Sequence, residues 1–319
     1  MKAFSSGPCG IQNIFMVWLF RVSAWLAGGI GMGMGEEHSW LRRFIGSSAF
    51  GMMVGSCNDC VRTPPSGGRS LLDLFDYRSE DLDVLVRGSS LSREELSGMR
   101  DGIIGVAYDA GGEEHAPWRT GSRGLERALE EDPLGVGMIF QSYLKFYFYH
   151  HLVRAVGARG DTRGMGKDDE GRLVENVMGA CYSLERDRPD VGEYSLASLE
   201  EGLRSTYGSL ARAPALLDHY TPRRVLKDVP LTDNLSEVTG TLNEAVYNGS
   251  DAKQYFLMFN AVHELEPWQM RVVNGLVVGA MKPYAVKMTA SDELPSSSTT
   301  DERRPVGSSD MQVLYADEG

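Results

Sequence analysis

A chain of 319 residues, 42% hydrophobic and 24% charged, is long enough for a sizeable core and has the make-up of a folded protein rather than a disordered or fibrous one. Its net charge of -12 argues against general nucleic-acid binding through a basic surface, although -5 of it falls in residues 289–319 and leaves the body only mildly acidic. Four cysteines are too few for a disulfide-built scaffold.

Residues 14–34 (IFMVWLFRVSAWLAGGIGMGM) carry one charge, Arg21, and have the length of about 20 residues that a spanning helix needs. Three readings compete: a signal peptide with Lys2 ahead of it and a small-residue cleavage site at 27–29, a membrane anchor, and a buried helix or glycine-rich arm. Arg21 counts against the first because it interrupts the apolar run after seven residues, and it adds a cost to the second unless it reaches an interface. The glycines of 28–35 (GGIGMGMG) disfavour a water-exposed helix and show no dinucleotide-binding register. A second uncharged run, 44–56, is too short to span a bilayer.

Cys57 and Cys60 form a C-x-x-C spacing. The pair is a candidate thiol pair for a disulfide, redox exchange or half a zinc site, set against incidental structural thiols. Residues 62–69 (RTPPSGGR) read as a breaker and divide the chain into an apolar region, 1–61, and a body, 62–288. Within the body, 70–77 suggests a short helix, 82–86 and 103–108 suggest strands, and Ser92 with Glu95 forms a capping box between them.

Beyond residue 120 helical spacing dominates. Helices are expected over 122–131, over the aromatic-rich 136–156, from Leu173 to a stop at Pro189, along Leu196, Leu199, Leu203, Tyr207 and Leu210, from Thr221-Pro222, along Leu235, Val238 and Leu242, and over 250–265 and 267–281. His150 and His151 stand side by side, about 100° apart on a helix, which predicts one buried and one solvated ring rather than a metal pair. His263-Glu264 lacks the second histidine of a metalloprotease helix. Gly164 to Lys167 lacks the spacing of a phosphate loop, and no nucleophile elbow occurs. Arg159-Gly160-Asp161 is an adhesion-type tripeptide in a segment expected to be an exposed loop. Arg204, Arg212, Arg223, Arg224 and Lys227 could form a basic face suited to phosphate or acidic partners, or stand as scattered surface charge.

These readings predict a mainly α protein. Its body is a helical bundle-like unit with at most a small two-stranded β element, preceded by the apolar segment and followed by a disordered acidic tail, 289–319. The function expected is that of a non-enzymatic structural or interaction protein with protein partners, of the kind found among viral structural and accessory proteins. Membrane association would run through residues 14–34, and a membrane or secretory location is favoured over a soluble intracellular one. Two alternatives stand beside it: a soluble helical nucleic-acid-binding or packaging protein using the basic face, and an enzyme whose site is assembled from residues far apart in the chain. No catalytic, cofactor or metal site is expected from any motif.

Overall fold

The computed structural model describes residues 41, 43–45, 47–63, 71–79, 91–119, 122–189, 194–230, 232, 235–247, 252–290, 299–300, 304–307 and 309–315. The expectations for 14–34, for the strand at 82–86 and for most of the tail lie outside them. Five strands form one sheet: β1 Asp59–Arg62, β2 Ile103–Asp109, β3 Gln254–Asn260, β4 Tyr284–Ala290 and β5 Gln312–Tyr315. The order is β2-β3-β4-β1-β5, and every pairing is parallel.

Parallel strands need long crossovers, and in this chain helices supply them. Alternate residues of the strands enter two separate cores. Ile104, Val106, Tyr108, Leu257, Phe259, Val286 and Met288 face a layer of helices from the middle of the chain. Ile103, Ala107, Phe256, Met258, Ala285, Val61 and Leu314 face an N-terminal layer built from Leu41, Phe44, Phe50, Leu71, Leu72, Phe75, Leu96 and Met99. The result is a three-layer α/β/α arrangement.

The N-terminal layer contains helix α1 Ser48–Met53, a helical turn at 71–73 and helix α2 Arg93–Asp101. The uncharged run 44–56 is therefore core: Phe44, Ile45, Phe50 and Met53 are buried against the sheet. α2 has the expected cap, with Ser92 Oγ accepting from Glu95 N–H and the Glu95 carboxylate accepting from Ser92 N–H.

Between β2 and β3 lies the larger helical layer. It comprises α3 Arg123–Glu131, α4 Pro133–Arg159, α5 Lys167–Cys181, α6 Leu196–Ala211, the short α7 Ala213–Leu216 and α8 Pro222–Leu226, and α9 Leu235–Val246. α4 is the axis of this layer. Asp132 caps it by accepting from Gly135 N–H, Pro133 opens its first turn, and Gly160 closes it at φ 70°, a left-handed conformation that glycine adopts without penalty. Phe140, Tyr143, Phe146, Tyr147, Phe148 and Tyr149 are all fully buried, so the helix is enclosed on all sides, as its aromatic density suggests. Helix α10 Pro267–Val278 joins β3 to β4.

The helical-bundle expectation is overturned by the five-stranded parallel sheet. Its central strands β2 and β3 are covered on both faces and read as near-continuous apolar runs, which periodicity cannot separate from buried helices. The helix expected over 250–265 is replaced by β3, whose YFLMF is such a run. The tail expected to be disordered contributes β5, whose residues pair with all four residues of β1. The break at 61/62 falls inside β1.

Candidate site at the carboxyl edge of the sheet

In an open parallel sheet, ligands bind beyond the carboxyl ends of the strands, where neighbouring connections diverge. That point lies between β1 and β4. After β1 the chain passes to the N-terminal layer, where Leu71, Leu72 and Phe75 pack, and on to β2. After β4 it passes to the opposite side, where Val306 and Met311 pack and Asn274 Nδ2 donates to Thr299 O, before returning as β5.

The strand ends near this point are polar. Register pairs Asn260 with Asp109 and Thr289 with Val61, which puts Asp109, Asn260 and Thr289 in one row across β2, β3 and β4. They form a directional chain. The backbone N–H of Ala261 donates to Thr289 Oγ1 at 3.2 Å, Thr289 Oγ1 donates to Asn260 Oδ1 at 2.8 Å, and Asn260 Nδ2 donates to Asp109 Oδ1 at 3.2 Å. Ala261 adopts φ 54°, uncommon for a residue with a Cβ, so the turn leaving β3 is held in a strained conformation beside the row. At the end of β1, Thr63 N–H donates to Ala290 O at 2.8 Å.

The chain leaving β1 reads Thr63-Pro64-Pro65-Ser66-Gly67-Gly68-Arg69-Ser70, and Leu71 then opens a helical turn; 64–70 lie outside the described residues. Against the strand–G-x-x-x-x-G-K-[ST]–helix pattern of phosphate loops, Gly68 and Ser70 match. Thr63 replaces the first glycine, and Arg69 replaces the lysine with another cation. Read as sequence alone this is a breaker; two substitutions hide the pattern, and the strand before it is only four residues long. The polar row was equally hidden, because its members are separated by up to 180 positions.

The residues singled out in the sequence sit elsewhere. Cys57 and Cys60 lie near the amino end of β1 and are not joined in a disulfide. Cys60 is buried and its thiol is pushed up to about 12 by desolvation, the opposite of an activated thiolate. Arg204, Arg212, Arg223, Arg224 and Lys227 are all exposed. Arg204 binds Glu201 at 2.6 Å and Arg223 approaches Asp132 at 3.8 Å, so acids neutralise part of that basic face.

His150 and His151 are both buried, at 3% and 7% exposure, against the expectation of one solvated ring. Arg159 and Asp161 are tied into the fold: Arg159 donates to the carbonyls of Arg100, Asp101 and Ile103, and Asp161 accepts from Arg159 and Tyr247. This leaves the adhesion-type tripeptide without a free arginine. Among the described residues no group of His, Cys, Asp and Glu is placed to hold a metal, and no helix is long and apolar enough to cross a membrane.

A second polar concentration lies inside the molecule, between β2 and α4. His115 stacks on Tyr108 at 3.9 Å and its Nδ1 hydrogen-bonds Tyr143 Oη at 2.5 Å, while Tyr147 Oη donates to Ala107 O. These rings are 0–1% exposed, so the cluster is interior packing and offers no entrance to a ligand. The carboxyl edge is therefore the better-supported candidate. Comparison with known proteins adds no further guide: no family model, curated protein or solved structure matches the chain.

Proposed function

We propose that this protein binds a phosphate-bearing ligand, with nucleoside triphosphates as the leading class, at the carboxyl edge of its parallel sheet beside β1. The observation that carries the reading is the position of the Gly67-Gly68-Arg69-Ser70 sequence. In the chain it begins five residues past the end of β1, the strand that stands where the β1 and β4 connections part to opposite faces. Glycines allow backbone N–H groups to approach phosphate oxygens, arginine offers a fork of donors matched to them, and serine adds a hydroxyl. Thr289 and Asn260 make the carboxyl ends of β4 and β3 polar. The reading departs from the expected structural or interaction protein with protein partners, because what is bound is a small phosphate ester.

Titration calorimetry of the full chain with ATP, GTP and inorganic pyrophosphate tests this. Saturable binding of at least one of them is expected, and Arg69→Ala should weaken it about tenfold or more, a loss of about 1.4 kcal/mol. Absence of binding to all three, or an Arg69→Ala variant that binds as tightly as the native chain, overturns the proposal.

A further inference from the structure

Apart from the strand ends, the larger helical layer holds a cavity of about 510 Å³, within the range of about 300–1,000 Å³ of small-molecule sites. Its lining runs from Ser205 to Pro230, the end of α6 and the turns that carry α7 and α8. The buried part of that lining is aliphatic: Leu210, Ala213, Val225 and Val229. Leu216 and Tyr220, at 45% and 52% exposure, belong to its outer part.

Two charges also line the cavity, Arg224 and Asp228, both exposed. Arg224 is a member of the expected basic face, but here a carboxylate shares its cavity. Arg224 lies on α8 and Asp228 follows four residues later, its N–H donating to Val225 O, so about one helical turn separates them. A ligand with a single charge meets one of the two with like sign. A ligand with both signs on neighbouring atoms is matched by both.

The α6 wall adds polarity of one kind. Ser209 Oγ donates to Ser205 O at 2.9 Å and Thr206 Oγ1 donates to Gly202 O at 3.1 Å. With their protons committed, these hydroxyls offer the cavity lone pairs alone. Lone pairs suit an ammonium, as the Asp228 carboxylate does, whereas the Arg224 guanidinium suits a carboxylate.

We infer that this cavity binds a free α-amino acid with a large apolar side chain. Arg224 takes the carboxylate, Asp228 and the α6 hydroxyls take the ammonium, and the aliphatic surface takes the side chain.

Titration calorimetry of the full chain with L-leucine and L-phenylalanine, each beside its amide and its deaminated acid, tests this. Saturable binding of at least one of the two amino acids is expected. Its amide, which lacks the carboxylate, and its deaminated acid, which lacks the ammonium, should each bind about tenfold or more weakly. L-Lysine and L-glutamate should lose about as much, because their side chains carry charge onto aliphatic surface. Arg224→Gln and Asp228→Asn should each weaken the amino acid about tenfold without lowering the melting temperature, since both side chains are exposed. Binding of neither amino acid, single-charge analogues within about threefold of the parent, or substitutions that leave affinity unchanged overturn the inference. Each of these results leaves the phosphate-ligand reading at the sheet edge untouched.

Discussion

His151 shows how one side chain can set a property of the whole fold. It lies on α4 with its Nδ1 hydrogen-bonded to Tyr77 Oη at 2.6 Å and its ring against Tyr147. Desolvation first, then the charges of His150, Arg78 and Arg154, lower its pKa to about 2. The unfolded chain takes up a proton at this histidine near pH 6.5, whereas the folded chain does not until about pH 2. Stability is therefore lost as pH falls below 6.5. At pH 5 this residue alone should cost about 2 kcal/mol relative to pH 7. His150, whose pKa burial also lowers, adds in the same direction. His151→Asn keeps an acceptor for Tyr77 and should be less stable at pH 7 but lose about 2 kcal/mol less between pH 7 and pH 5 in urea unfolding. Identical losses in the two proteins would show that His151 is not held neutral. The type and position of this residue were plain in the sequence; its burial was not, because both histidines sit on a helix whose entire circumference is covered.

At the scale of elements, β1 and β4 are joined by a buried ion pair. Asp59 and Lys287 are register partners, 0% exposed, with Lys287 Nζ at 2.5 Å from Asp59 Oδ2 and donating to the carbonyls of Gly55 and Cys57. Burial pushes the Asp59 carboxyl up and the Lys287 ammonium down, and each partner's charge opposes the other's shift. Removing one member strands the other in the core. Lys287→Met should cost about 3–5 kcal/mol, and Asp59→Leu/Lys287→Met should recover most of it in chemical denaturation. A double variant no more stable than the single one would show that the pair does more than neutralise itself.

Helix caps were the most legible elements. Ser92 accepts the expected backbone hydrogen bond, and Ser122, Asp132 and Ser195 cap their helices in the same way, because capping is decided within four residues. Strands were the least legible. β2 reads as a strand because isoleucine and valine are dense in it, but β3 and β4 pair with segments as far as 228 residues away.

For the whole molecule, the decisive feature is the pairing of β1 with β5, two segments about 250 residues apart in the chain. β1, from the first quarter of the sequence, is sandwiched between β4 and the C-terminal β5. Asn58 reinforces this junction, donating from Nδ2 to Val277 O and Asp310 O while its backbone carbonyl accepts from Gln312 N–H. Truncation after Asp310 would remove β5, expose the edge of β1 and uncover Leu314's place in the N-terminal core. The truncated chain should melt several degrees lower and associate through the bared edge, as read by calorimetry and light scattering. An unchanged melting temperature would return residues 312–315 to the status of a dispensable tail.

The sequence by itself determined the local features: most helix starts, the enclosed character of α4 and the apolar nature of 44–56. These depend on neighbours within a few positions, where side-chain type and spacing carry the information. Only the tertiary structure decided that the remaining apolar runs pair into a parallel sheet, that residues of the expected tail add its last strand, and that Asp109, Asn260 and Thr289 stand in one row at the carboxyl ends of β2, β3 and β4. A doubly covered strand has no polar face to betray its period, and a site made at strand ends has no spacing in the chain to betray its members.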